Sequence, residues 1–293
     1  MSASTASARA ASEPMTANTR AGIVVQTYIS DHVDALNRAI AAFERQAPGS
    51  AGAVRATIHR LRTDIRGYAH LFTQTLPRSQ ELDHLLAALK HTEDLEKLCV
   101  HFADRFAQLG LAAPDYPKWY GAIENEMRES YRQTEGIASQ TWVAVLLSEV
   151  RMFAEHARFS RDGDKPASSL LGVLSQAKTH LLDTYGKLSY ATDLVLARDE
   201  TRIAAREAHY LAEVAAPALG RTAEDMVTHF GDLQHLLDQY RQAVIARNWL
   251  LRLPGADRAD RLTTSLAELE KERLRHLGEE IDRAAADLIG QSQ

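Results

Sequence analysis

Cations recur at helical spacing in two stretches of this sequence, and a row of guanidinium groups along one face is the chemistry of anion recognition. In the first, VRATIHRLRTDIRGYAHLF over 54–72, Arg55, His59, Arg62, Arg66 and His70 fall within roughly 80° of one another at about 100° per residue. Val54, Ile58, Leu61, Ile65 and Phe72 gather on the adjoining face, so such a helix is basic where it borders its buried side. Solvated helix faces ordinarily mix charges; this stripe has one sign, and the nearest acid, Asp64, points away from it. In the second stretch Arg198, Arg202, Arg206 and His209 recur at steps of four, four and three and share a similar stripe. Glu213 lies on that stripe and is placed to hold one of its cations, while Asp199, Glu200 and Glu207 project at other angles. For the second stretch alone, ion pairing within the helix accounts for the pattern as well as a ligand does.

Arginine presents a planar fork of donors that matches phosphate oxygens, and successive turns of a helix repeat that fork about every 5.4 Å. A linear polyphosphate carries charge on nearly every unit and offers no base or sugar to read. A row of cations suffices to hold it, and no catalytic group is required.

His59 followed by Arg at +3 and +7 and a basic residue at +11 resembles the opening signature of the CHAD family, the conserved histidine α-helical domain. Arg198, Arg202, Arg206, His209, Tyr210 and Glu213 resemble the family's second basic helix, which ends in a basic-Tyr-x-x-Glu pattern. LKHTEDLEKL from Leu89 resembles its Leu-Gly-x-x-Arg-Asp-x-Asp segment, and LQHLLDQYRQAVIA from Leu233 resembles its Leu-Gln-x-x-Leu-Gly-x-x-x-Asp-Ala segment. The four matches come in the family's order and cover most of the chain after residue 22. The resemblance implies two similar halves whose basic second helices face each other across a central cavity. It also implies inorganic polyphosphate as the ligand and association with polyphosphate granules. Several cations of the pattern are absent here. Gly67 follows Arg66 where the family has an Arg pair, and His70 stands for Arg. In the second half Arg198 stands for the name-giving histidine, Thr201 and Ala205 replace cations, and His209 replaces Arg. Lys90 and Asp238 replace glycines, and Glu93 takes the place of a cation. The two substituted histidines predict binding that strengthens on acidification, and Arg78, Lys90, Lys178 and Lys187 are candidates to restore the lost charge.

At 293 residues, with 45% hydrophobic and 25% charged side chains, the chain has the balance of a globular protein able to bury a core. Its net charge of −5 excludes a general nucleic-acid binder, sequence-specific or otherwise, so any anion site is a local concentration of cations. The single cysteine, Cys99, cannot form an internal disulfide and reads as a small core residue in a reducing compartment. No apolar window is long enough to span a membrane, and a cytoplasmic location follows.

Periodicity from Ile23 onward is helical and the expected fold is all-α. Residues 1–22, rich in Ala, Ser and Thr, read as a disordered tail. Four helices are expected over 23–160 (22–45, 53–74, 79–109 and 118–159). The loop SRDGDKP over 160–166 then leads to four more over 167–290 (168–187, 192–219, 222–251 and 257–289). This organisation describes two tandem four-helix bundles around a shared basic cavity, one domain overall over 23–290.

Other chemistries find little support. His84 with His91, and His180 with Asp183, have helical spacing, but no metal-ligand set is complete. Asp94 and Glu96 point to different faces and do not pair as acid and base. No phosphate-binding glycine loop or nucleophile elbow is present. Tyr116, Trp119 and Tyr120 follow two prolines at a helix start and read as packing. The sequence thus predicts a non-enzymatic binding module without metal or cofactor. Its partner is inorganic polyphosphate, held by Arg55, His59, Arg62, Arg66, His70, Arg198, Arg202, Arg206 and His209. The competing expectation is a scaffold that has lost this site and binds a protein partner or self-associates as a homodimer.

Overall fold

The computed structural model describes residues 14–74, 79–138 and 140–290. Its regular elements are ten α-helices: α1 (Ala21–Glu44), α2 (Ser50–Gly67), α3 (Ser79–Gln108), α4 (Lys118–Ala138), α5 (Thr141–Glu155), α6 (Leu171–Gly186), α7 (Leu194–Leu219), α8 (Arg221–Arg252), the single turn α9 (Gly255–Arg258) and α10 (Arg261–Gly290). Extended pairing among the described residues is confined to two isolated bridges, Arg20 with Pro166 and Phe72 with Phe159. The all-α expectation holds.

Two boundaries differ from the periodicity, each for a local reason. The second expected helix stops at Gly67 rather than running to residue 74, and a 3-10 turn, Ala69–Leu71, follows. Tyr68 drives this break. Its ring is fully buried and its hydroxyl donates to the Leu211 carbonyl at 2.8 Å, which turns the chain before Phe72 meets Phe159. The long helix expected over 118–159 is two helices, α4 and α5. Gln140 is extended (φ −70°, ψ 140°), and its carbonyl accepts the Val143 N–H at 2.9 Å to start α5. Gly136, one of the expected bends, stays inside α4. Asp193 caps α7 by accepting from the Leu196 N–H at 3.0 Å, and Gly220, at φ 56°, supplies the turn into α8 that a side chain would strain.

Residues 1–13 of the expected tail lie outside the described residues, but residues 14–20 are tied down. Backbone N–H groups of Ala167 and Ser168 donate to the carbonyls of Thr19 and Ala17 at 2.7 and 3.1 Å, and Arg20 lies over the Phe159 ring. The 160–166 loop does more than divide the chain. Its Gly163 and Lys165 carbonyls accept the first N–H groups of α1, from Gly22 and Ala21, donors that a helix start cannot satisfy internally. Ser160 in turn donates to the Leu71 carbonyl, so one loop fastens the start of α1 to the end of α2.

The two halves are not separate bundles. One apolar cluster runs through α1, α2, the first turns of α3, α5, α6, α7 and α8. A second joins α3 and α4 to α8 and α10 through Phe102, Phe106, Trp119, Ile123, Leu250 and Leu266. Each fully buried large apolar side chain contributes about 1.5–3 kcal/mol. The halves meet where α2 and α1 pack on α7 and α3 packs on α8. Below the α2–α7 crossing the fit is close, since a Cβ on Gly67 would stand 2.4 Å from a Leu211 methyl. The buried face of α7 is largely alanine (Ala204, Ala205, Ala208, Ala212 and Ala215), which lets its backbone approach its neighbours. The aromatic group at the start of α4 is structural: the Trp119 indole donates to Thr263 at 3.1 Å and the Tyr120 hydroxyl to the Cys99 carbonyl at 3.1 Å. Cys99 is buried, and burial pushes its thiol up to about 11.

Candidate anion site

On α2, Val54, Ile58, Leu61 and Ile65 are buried at steps of four, three and four, so the helix fixes its rotation on the core and turns Arg55, His59 and Arg62 toward α3 and α7. On α7, Ala204, Ala205 and Ala208 do the same for Arg202 and Arg206. The two stripes converge. Burial first, and then the fields of Arg206, Arg55, Arg62 and Arg202, hold the His59 imidazole down to about 2, in keeping with the packing of α2 on α7. His59 is therefore neutral and feels cations of both helices.

Most of these cations already have carboxylate partners. Arg55 pairs with Glu93 of α3, which also takes Lys97 at 2.7 Å. Asp83 of α3 takes Arg62 at 2.8 Å and Arg66 at 3.3 Å. Arg202 reaches Asp199 at 2.9 Å and Asp238 of α8 at 3.2 Å, and Asp199 also holds Arg241 at 2.6 Å. Burial works against the ionised Glu93 and Asp199, yet the adjacent cations keep both below the usual carboxylate range. Arg206 is the exception. Its Nε is buried without a hydrogen-bond partner, and burial, then Arg202, weaken its hold on its proton. Among the described residues no carboxylate lies within ion-pair distance of it. Arg55 Nη1 is likewise buried without a partner. Arg62 Nε, though 2.8 Å from Asp83, also lacks a hydrogen bond, so three buried donors of the seam are unsatisfied, and each such group is costly to leave so.

Three predicted residues stand elsewhere. His70 lies past the end of α2, in the 3-10 turn, exposed and close enough to Asp162 to help keep that acid ionised. Arg198 stacks on the Tyr240 ring, 4.3 Å from its centroid, and its Nη2 faces Gly278 of α10. His209 packs on Gly231 of α8 and binds Glu213 at 3.0 Å. Of the other candidate cations, Lys90 pairs with Asp94 in its own helix, and Arg78 lies outside the described residues. His84 meets the Trp142 ring edge-on and His91 pairs with Glu126.

Sequence reasoning missed Arg60, which projects to the other side of α2. It stacks on Tyr210, 4.4 Å from the ring centroid, and forks onto Glu213 at 3.0 and 3.3 Å. The Tyr28 hydroxyl also donates to Glu213, at 2.9 Å. Burial opposes ionisation of Glu213, but His209 and Arg60 prevail and hold it at about 2. The signal was present in the Tyr-x-x-Glu pattern: Tyr210 and Glu213 hold Arg60 of the partner helix, and Glu213 also binds His209 of its own stripe. Beneath them Asp64 is fully buried with both oxygens unpartnered, and burial raises it well above the carboxylate range, which keeps it neutral. The seam thus brings arginines of α2 and α7 together around a neutral imidazole, with carboxylates of α3, α7 and α8 against most of them.

A family model described as "CHAD domain" matches residues 27–251. Two solved structures share the fold. One is the CHAD domain from the plant Ricinus communis, at a TM-score of 0.64 and 14% identity, covering 97% of this chain and 94% of that one. The other is PptA from Streptomyces chartreusis, at 0.61 and 13%, covering 93% and 99%. No curated protein matches the sequence.

Proposed function

The chain belongs to the CHAD domain family, and from that premise we propose that the α2–α7 seam binds inorganic polyphosphate or a similar linear polyanion without transforming it. The binding residues are Arg206, Arg55, Arg62 and Arg202, with Arg66 at the rim and neutral His59 as a hydrogen-bonding centre; polyphosphate granules are the corresponding place of action. The observation that carries the reading is Arg206, a half-buried cation whose Nε has no hydrogen-bond partner and which, among the described residues, has no carboxylate within ion-pair distance. A protein keeps such a charge at a cost in stability, and an external anion is what relieves it.

The seam's charge sets the strength of the interaction. Seven cations (Arg55, Arg62, Arg66, Lys97, Arg202, Arg206 and Arg241) meet four carboxylates (Glu93, Asp83, Asp199 and Asp238), a net charge of about +3. By analogy with single-stranded nucleic acids, where the slope is about −0.7 per neutralised phosphate, log K should fall against log salt with a slope of about −2. A titration of polyphosphate at 50–300 mM salt, at about pH 7.5, measures it.

A second reading is favoured by Glu93 and Asp238. Both depart from the family's pattern, and both neutralise the basic helices. In that reading the helices form a scaffold for a protein partner or a second copy. Absence of binding at the lowest salt, or binding indifferent to salt, decides for it.

A further inference from the structure

We infer that the seam is built for short phosphate oligomers, of about the length of tripolyphosphate, and not for long chains. This rests on the polyanion reading and narrows it. The carboxylates are not scattered along the cation row. Glu93 closes the seam at the Arg55 end of α2, and Asp83 closes it at the Arg62–Arg66 end. On the opposite wall Asp199 and Asp238 occupy Arg202, the α7 cation one turn before Arg206. Arg55 and Arg66 are eleven residues apart, or about 16 Å along the helix. The middle of that span, around His59, faces Arg206, the seam arginine with no carboxylate within ion-pair distance among the described residues.

A phosphate chain that continued past this middle would run its charges against carboxylates held ionised by their own arginines, and like charges at close range repel. A short oligomer ends before reaching them. The same geometry gives Glu93 and Asp238 a role. Each stands where the resembling segments carry Arg or Gly, and each caps an arginine of a basic helix. They are length-determining residues.

The test compares pyrophosphate, tripolyphosphate and chains of about ten and about one hundred units at fixed salt, with concentrations expressed per binding event. In the wild-type protein affinity, with chain concentration counted in three-unit windows, rises to tripolyphosphate and then stays within about threefold. In the Glu93→Gln/Asp238→Asn double variant, which keeps the side-chain volumes, affinity for the hundred-unit chain rises at least about tenfold, as added charged contacts require, while tripolyphosphate changes less. A steep rise with chain length in the wild-type protein, or a double variant with unchanged length preference, overturns the length inference and leaves the polyanion reading standing. Binding of no phosphate by either protein overturns both. Circular dichroism of the variant confirms that the fold is retained.

Discussion

Arg206→Met separates a binding residue from a structural one, because the two roles predict opposite signs. Methionine approximates the buried length of the arginine stem and removes the charge. Arg206 has no carboxylate partner and its Nε is buried and unsatisfied, so its removal leaves no orphaned counter-ion and takes a desolvated cation out of a field set partly by Arg202. Replacing buried charge with apolar volume is often neutral or stabilising by about 1–4 kcal/mol; with Arg206 half-buried, an increase of about 0–2 kcal/mol in unfolding free energy is expected. Binding moves the other way. Loss of a charged hydrogen bond removes about 1.5–3 kcal/mol, a ten- to hundredfold weaker dissociation constant for tripolyphosphate. Urea denaturation and isothermal titration calorimetry read the two quantities on one preparation. Arg202→Met is the contrast. It takes the cation from Asp238 and leaves Asp199 with Arg241 alone, and should destabilise by about 1–2 kcal/mol, below the figure for a fully buried pair because both acids are partly exposed. If Arg206→Met destabilises as Arg202→Met does and binds as the wild type does, the reasoning from an unpaired cation is wrong.

His59 makes stability depend on pH. Its folded-state value of about 2 lies below the unfolded value near 6.5, so the unfolded chain binds the extra proton and stability falls as pH drops below 6.5. Between pH 7 and 5 the loss from this residue is about 2 kcal/mol, and His59→Gln should flatten the profile by that amount in denaturation at the two pH values. Gly163→Ala places a Cβ 2.3 Å from the Leu71 carbonyl oxygen and 2.9 Å from the Phe159 Cβ; backbone cannot yield as a side chain can, and a loss of at least about 2 kcal/mol is expected on denaturation. Glu270 is fully buried on α10 and accepts from His101 and Arg105 of α3 at 2.9 and 2.7 Å. Glu270→Ala leaves the arginine buried without its partner and should cost about 3–5 kcal/mol.

How much of this was legible in the sequence depended on whether the deciding interaction was local. Apolar steps of three and four place α2 and α7 correctly because each helix packs through one stripe, and the same steps bring Arg55, Arg62, Arg202 and Arg206 onto the inner faces. Extending the α2 stripe to His70 failed because Tyr68 is drawn to the Leu211 carbonyl, a partner 143 residues away that no periodicity reports. Arg198 and His209 obey the helical spacing but are claimed by Tyr240 and by Glu213 with Gly231, again across the fold. Both titratable substitutes, His70 and His209, stand away from the seam, so neither supplies a reason there for tighter binding in acid. The carboxylates mattered most and were least visible. Glu93 and Asp238 read in the sequence as missing positive features, whereas in the fold they are negative charges placed on specific arginines.

The central claim is that cations from α2 and α7 form one seam that receives an anion beside His59. The most direct measurement is the two-dimensional NMR titration of the histidine ring resonances with tripolyphosphate at pH 7.5. The account predicts that the His59 ring signals shift along a saturable isotherm matching the calorimetric dissociation constant, and that His70, beyond the end of α2, does not move. An unmoved His59 alongside saturating shifts at His70 or other surface histidines would contradict it.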